Sequence, residues 1–156
     1  VLDWARRYRA SPDAEYAGSA GNVPLAAVAC PGGGTTTVHA QLAPAIAALY
    51  EAAAAAGVDL CGGGYRSPEA QIALRQAHCG SSDYAIYQMP ASQCSPPTAR
   101  PGQSMHERGL AIDFRCDGIT ISSRSEPCFA WLADHAGDYG LRNLPSEPWH
   151  FSTDGS

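Results

Sequence analysis

Ser104-Met105-His106-Glu107-Arg108-Gly109-Leu110-Ala111-Ile112-Asp113-Phe114 makes two demands that one regular element cannot meet. From Leu110 onward the chain alternates in the manner of a strand. Leu110, Ile112 and Phe114 fall on one face, and Ala111 and Asp113 on the other. A carboxylate in so apolar a strand is costly unless it is paired or ligating. His106 precedes Asp113 by an odd number of residues, so the two cannot share a face of one continuous strand. Gly109 resolves this, because glycine accepts backbone conformations that permit a bend. The stretch therefore predicts a bend that returns an imidazole over the strand carrying a carboxylate.

Working outward, Glu147-Pro148-Trp149-His150 supplies the complement. Trp149-His150-Phe151-Ser152 reads as a last short strand, expected beside the first. Imidazole nitrogen and carboxylate oxygen suit Zn²⁺, and a catalytic zinc keeps three protein ligands and one open position. His106, Asp113 and His150 would be that set. Zinc lowers the pKa of bound water towards ~7, and a neighbouring carboxylate can complete its activation. Glu147 is placed for this, since Pro148 biases it to an extended backbone. A lone histidine is usually an ordinary surface or core residue; it is the joint occurrence of both segments that carries weight. His39, His78 and His135 stand at helix ends and read as structural or surface residues. Glu107 reads as solvated.

The remaining elements frame this pair. Residues 39–56 form the clearest helix, with Leu42, Ile46 and Leu49 at helical spacing and Gly57 at its end. Residues 58–61 read as a strand, and Gly62-Gly63-Gly64 allows close backbone approach. Ser67 caps a second helix to about Ala77, with Pro68 and Glu69 in its first turn. Residues 79–104 form a cysteine-bracketed surface insertion. Residues 119–121 make a short return strand. A third helix spans about 126–136, capped by Ser125. Residues 1–36 read as an irregular segment, with one short helix through Leu2, Trp4, Ala5 and Tyr8. The expected fold is a single α+β domain over 1–156, a small antiparallel sheet flanked by helices.

Composition bounds the class. The chain has 156 residues, 45% of them hydrophobic, and a net charge of −5. It has no basic run, which excludes the phosphate-neutralising surface nucleic acid requires. No apolar stretch is long enough for a membrane span. Six cysteines without C-x-x-C spacing read as disulfides and imply an oxidising, extracytoplasmic or secreted location. Many pairings are open. The one expected is Cys30–Cys61, Cys79–Cys94 and Cys116–Cys128, the last two stapling short loops. Val1 opens into a polar segment, so the chain reads as mature or trimmed, and as a monomer.

The three motifs together resemble a known family. S-M-H-E-R-G-L-A-I-D is similar to the S-x-H-x-x-G-x-A-x-D signature of VanY-type D-alanyl-D-alanine carboxypeptidases, and E-P-W-H to their E-x-W-H motif. Gly64-Tyr65-Arg66-Ser67 with Gln71 resembles their G-Y-R-S-x-x-x-Q element. The motifs span residues 64–151 in the family's order. The resemblance implies a fold of the lysostaphin, D,D-peptidase and hedgehog-like group. It implies zinc on His106, Asp113 and His150, Glu147 as base, and Arg66 as the cation that steadies the oxyanion. Ser104, Gln71, Tyr65 and Trp149 would contact substrate or shape the cleft. The insertion 79–104 matches nothing in the family core and is expected to form one wall.

The expected activity is zinc-dependent removal of the terminal D-alanine from peptidoglycan stem peptides. Two other readings share the motifs. One is an endopeptidase cutting L-Ala–D-Glu or a cross-bridge. The other is a non-catalytic zinc domain that binds the wall. Retention of both Glu147 and Arg66 counts against the last, because a structural site needs neither and is usually closed by a fourth ligand.

Overall fold

A computed structural model describes residues 23–156. The expected short helix at the N-terminus lies outside them. The expectation that 1–36 is irregular fails for its described part. Leu25–Ala29 (β1) pairs antiparallel with Thr35–His39 (β2) around the Pro31–Gly34 turn. Leu-Ala-Ala-Val-Ala carries no apolar–polar alternation, so this strand had no periodic signal to read. Because β2 runs to His39, the first helix starts later than expected, at Ala43–Ala55 (α1). His39 therefore ends a strand and is buried.

Leu60–Gly63 (β3) follows, then Pro68–Cys79 (α2), whose Ser67 side chain accepts from Ala70 N as expected. Inside the insertion, Asp83–Tyr87 (α3) is a short helix that the sequence reading did not anticipate. Ala111–Cys116 (β4), Ile119–Thr120 (β5), Pro127–His135 (α4), Arg142–Leu144 (β6) and Glu147–Ser152 (β7) complete the chain. Ser125 is not the cap of α4. Glu126 holds that position, and its carboxylate accepts instead from Ser122 N and Ser123 N.

The main sheet runs β3-β4-β7-β6 with β5 on β4, all antiparallel. Ile112 and Phe114 of β4 and Phe151 of β7 enter the core with Ile46, Leu49 and Tyr50 of α1. Phe114 meets Phe151 edge-on at 5.5 Å, and Tyr50 likewise at 6.4 Å. Such edge-on aromatic pairs add about 0.5–1.5 kcal/mol beyond the burial of their area. The three expected cysteine pairs are all joined: Cys30–Cys61, Cys79–Cys94 and Cys116–Cys128. The first ties the β1–β2 turn to β3. Among the described residues no helix is long and apolar enough to cross a membrane.

Candidate active site

Register brings the site together. Asp113 on β4 stands directly opposite His150 on β7, so their side chains leave the same face. His106 reaches the same point by the expected bend. Met105–Arg108 is a short 3-10 turn, Gly109 adopts φ 69°, and β4 begins two residues later. Gly109 also lies against β2: its carbonyl accepts from His39 N at 2.9 Å, and an added Cβ would stand 2.5 Å from that nitrogen.

The reading of Glu107 as solvated is corrected. It is 1% exposed and closes the 3-10 turn in a capping box with Ser104. Its carboxylate accepts from Gly102 N and Ser104 N, while Ser104 Oγ accepts from His106 N. Those backbone donors take the place of water. Burial pushes the Glu107 carboxyl up, against these bonds.

One oxygen of Asp113 lies 3.0 Å from His106 Nε2 and 3.0 Å from His150 Nδ1. The far nitrogens of both rings meet backbone carbonyls: His106 Nδ1 reaches Gly64 O at 2.7 Å, and His150 Nε2 reaches Ser156 O at 2.9 Å. Carbonyls only accept, so both far nitrogens carry protons. In the neutral rings the near nitrogens are then bare lone pairs facing a carboxylate. Either each ring takes a second proton or a cation lies among the three groups. Two imidazolium rings with centroids 5.0 Å apart would repel; one cation satisfies all three donors. Their ligand atoms lie within 4.8 Å of one another. Tetrahedral zinc ligands at ~2.0–2.1 Å lie about 3.3 Å apart, so the donor set fits zinc. The carbonyls serve as the outer hydrogen-bond partners that orient metal-binding imidazoles.

With protons rather than a cation on the near nitrogens, burial alone would still raise the Asp113 carboxyl, but hydrogen bonds from His106 and His150 outweigh it and hold it well below the usual carboxylate range. Burial alone would lower His150; the Asp113 and Ser156 bonds push it up.

Two charged groups flank the cluster. Glu147 Oε2 lies 3.8 Å from His150 Nδ1, and burial pushes its carboxyl up. Arg66 Nη2 lies 3.8 Å from Asp113 Oδ2, and its backbone N–H donates to His106 O. Gln71 is buried on α2. It accepts from Arg66 Nη1 at 2.8 Å and donates to Ala99 O at 2.7 Å. These groups line a cleft of about 470 Å³ together with Ser104 and Trp149. Tyr65 is not among the lining residues; its backbone N–H donates to Thr37 O.

The insertion supplies a wall as expected, through residues 96–99. The sequence reading missed several contributors. His78 is half-buried, borders the cleft and pairs with Thr98 Oγ1 at 2.7 Å. Asn143 donates to both Glu147 O and His150 O, at 2.9 and 3.0 Å, across the register shift between β6 and β7. Asp154 gathers Ser152 Oγ, Ser156 N and Ser156 Oγ, folding the turn that presents Ser156 O to His150. Each acts through a partner outside the three motifs or through backbone, which no motif records.

Comparison with known proteins gives consistent results. The model of the family described as "VanY: D-alanyl-D-alanine carboxypeptidase" matches residues 35–155. A D-alanyl-D-alanine carboxypeptidase of Enterococcus faecalis is 28% identical over 73% of this chain, which spans 47% of that relative's length. The vancomycin-resistance D,D-pentapeptidase VanY, solved as a mutant with Zn(II), is 24% identical. It superposes at a TM-score of 0.57, over 82% of this chain and 78% of that one. The L,D-carboxypeptidase DacB of Streptococcus pneumoniae is 30% identical, with a TM-score of 0.50 over 72% of this chain and 65% of that one.

Proposed function

Because the chain belongs to the VanY family of D-alanyl-D-alanine carboxypeptidases, we propose that it is an extracytoplasmic zinc D,D-carboxypeptidase acting on peptidoglycan stem peptides. The observation that carries this is the convergence of three electron-rich donors on one point flanked by a carboxylate and a guanidinium. His106, Asp113 and His150 would hold the zinc, which supplies Lewis acidity at the scissile carbonyl. Glu147 takes the proton of the attacking water and passes it to the leaving amine of the terminal D-alanine. A half-buried carboxyl with raised affinity for protons suits that exchange. Arg66 meets the negative charge that develops on the carbonyl oxygen, and Gln71 holds it in direction. Disulfides at all six cysteines support a location outside the cytoplasm.

The test is release of D-alanine from a peptide ending in D-Ala-D-Ala, before and after chelation. Activity should vanish with chelator and return with zinc. Glu147→Gln should retain zinc and lose about 10²–10⁴-fold in turnover. Release that survives complete zinc removal would overturn the mechanism.

The likeness to an L,D-carboxypeptidase favours one second reading, in which the bond cut follows an L-residue. A tetrapeptide ending in D-alanine after L-lysine, assayed in parallel, separates the two.

A further inference from the structure

Arg75 on α2 is 0% exposed, and the recorded partners of its guanidinium include no carboxylate. A buried charge without compensation is strongly disfavoured. Here all compensation comes from one piece of chain, the cysteine-bracketed insertion. Nε donates to Ile86 O at 2.9 Å, and Nη2 to Ala85 O and Met89 O at 2.6 and 2.7 Å. Ala85 and Ile86 offer open carbonyls of α3, and Met89 lies two residues beyond its end. Nη1 donates to Thr98 O at 2.7 Å and to Cys94 Sγ at 3.3 Å. A guanidinium has five N–H donors in a fixed fork; all five are spent on residues 85–98.

Thr98 belongs to the strip 96–99 that walls the cleft. The adjoining Ala99 carbonyl accepts from Gln71, and Gln71 in turn accepts from Arg66. The bonds therefore run without a break from Arg75 to the strip, from the strip to Gln71, and from Gln71 to Arg66.

We propose that Arg75 is a positioning residue that sets the cleft wall at 96–99 and, through Ala99 and Gln71, the direction of Arg66. The catalytic consequence rests on the function proposed above. The wall determines how the substrate backbone is seated, and Arg66 determines how well the carbonyl is met. A small misplacement of such groups is costly to rate.

Arg75→Lys keeps the charge but loses the fork. The expected result is a fall of about 10–100-fold in kcat/KM, with a rise in KM from the moved wall and a fall in kcat from Arg66. Zinc affinity, read by chelator competition, should not change. Combined with Gln71→Ala, the losses should not multiply, because both cut one relay. A structural brace alone would leave KM and kcat of the folded protein unchanged, or give losses that multiply; either outcome overturns the proposal. The Arg66 Nε–H resonance in ¹⁵N-labelled protein should shift in both single variants. That readout needs no turnover, so an inactive wild type would sink the assigned reaction while the resonance still judges the relay. An unmoved resonance overturns it. If Arg75→Lys does not fold, Thr98→Val frees the same strip from His78, and the same quantities should move less far in the same direction.

Discussion

Gly64→Ala tests the join between fold and site most directly. Gly64 sits where β3 leaves the sheet and passes β2. A Cβ added there would stand 2.0 Å from Thr37 O, 3.0 Å from Thr37 C and 3.2 Å from Thr36 Cγ2. The first two atoms are backbone and cannot swing aside. Reaching ordinary contact near 3.4 Å requires the two segments to part by about 1.4 Å. That would break the 2.7 Å bond from Tyr65 N to Thr37 O and draw Gly64 O away from His106 Nδ1. Overpacking costs about 1–3 kcal/mol, and the lost backbone bond about 1 kcal/mol. At ~2–4 °C per kcal/mol for a domain of this size, Tm should fall by roughly 5–15 °C. Loss of the carbonyl that orients His106 should weaken zinc binding about 10–100-fold. Gly63→Ala is the control, because nothing lies within 4 Å of its added Cβ. Thermal unfolding by circular dichroism and zinc competition against a chelator read the two effects. If Gly64→Ala matches Gly63→Ala within ~0.5 kcal/mol and binds zinc as tightly as wild type, the reasoning is refuted.

Other consequences follow from neighbouring contacts. Asp154→Ala dissolves the turn that delivers Ser156 O to His150, so zinc affinity should drop about tenfold or more with the fold intact by circular dichroism; unchanged affinity would show that the turn is not needed. Asn143→Ala frees the backbone at both Glu147 and His150, and kcat should fall about tenfold, measured by D-alanine release. Burial pushes the Tyr50 hydroxyl up to about 12, despite its 2.6 Å bond with Thr36. The unfolded phenol ionises near ~10, so the stabilising effect of the neutral hydroxyl is complete below that pH. It is lost as pH rises towards 12, by up to about 3 kcal/mol. Denaturant melts across that window should show the decline, and Tyr50→Phe should remove it.

The chemistry of the site was legible in the sequence because it depends on residue type and local geometry. His106 and Asp113 at an odd spacing with Gly109 between them required a bend, and Gly109 bends at φ 69°. Pro148 places Glu147 at the start of β7 in extended backbone. Asp113 in an apolar strand required a partner, and it has two. The expected cysteine pairing, one of many the sequence left open, is the one the structure joins.

What stayed hidden shares one cause: it depends on which backbone atom lies opposite which side chain across long sequence separations. β1 has no alternation, so only its pairing with β2 makes it a strand. Glu107 looked solvated because its partners are backbone N–H groups of a turn folded over it. Arg75 carries no motif signal in the sequence, yet every donor it has is taken by carbonyls and a sulfur of a loop the motifs do not describe. By itself, then, the sequence determined which side chains could donate to a metal, the carboxylate beside them and the bend, since these are properties of residues and their near neighbours. The Asp113–His150 register, the carbonyls that set both imidazole tautomers and the wall built on Arg75 were decided by tertiary structure, because backbone acceptors are the same in every residue and acquire a role only by position.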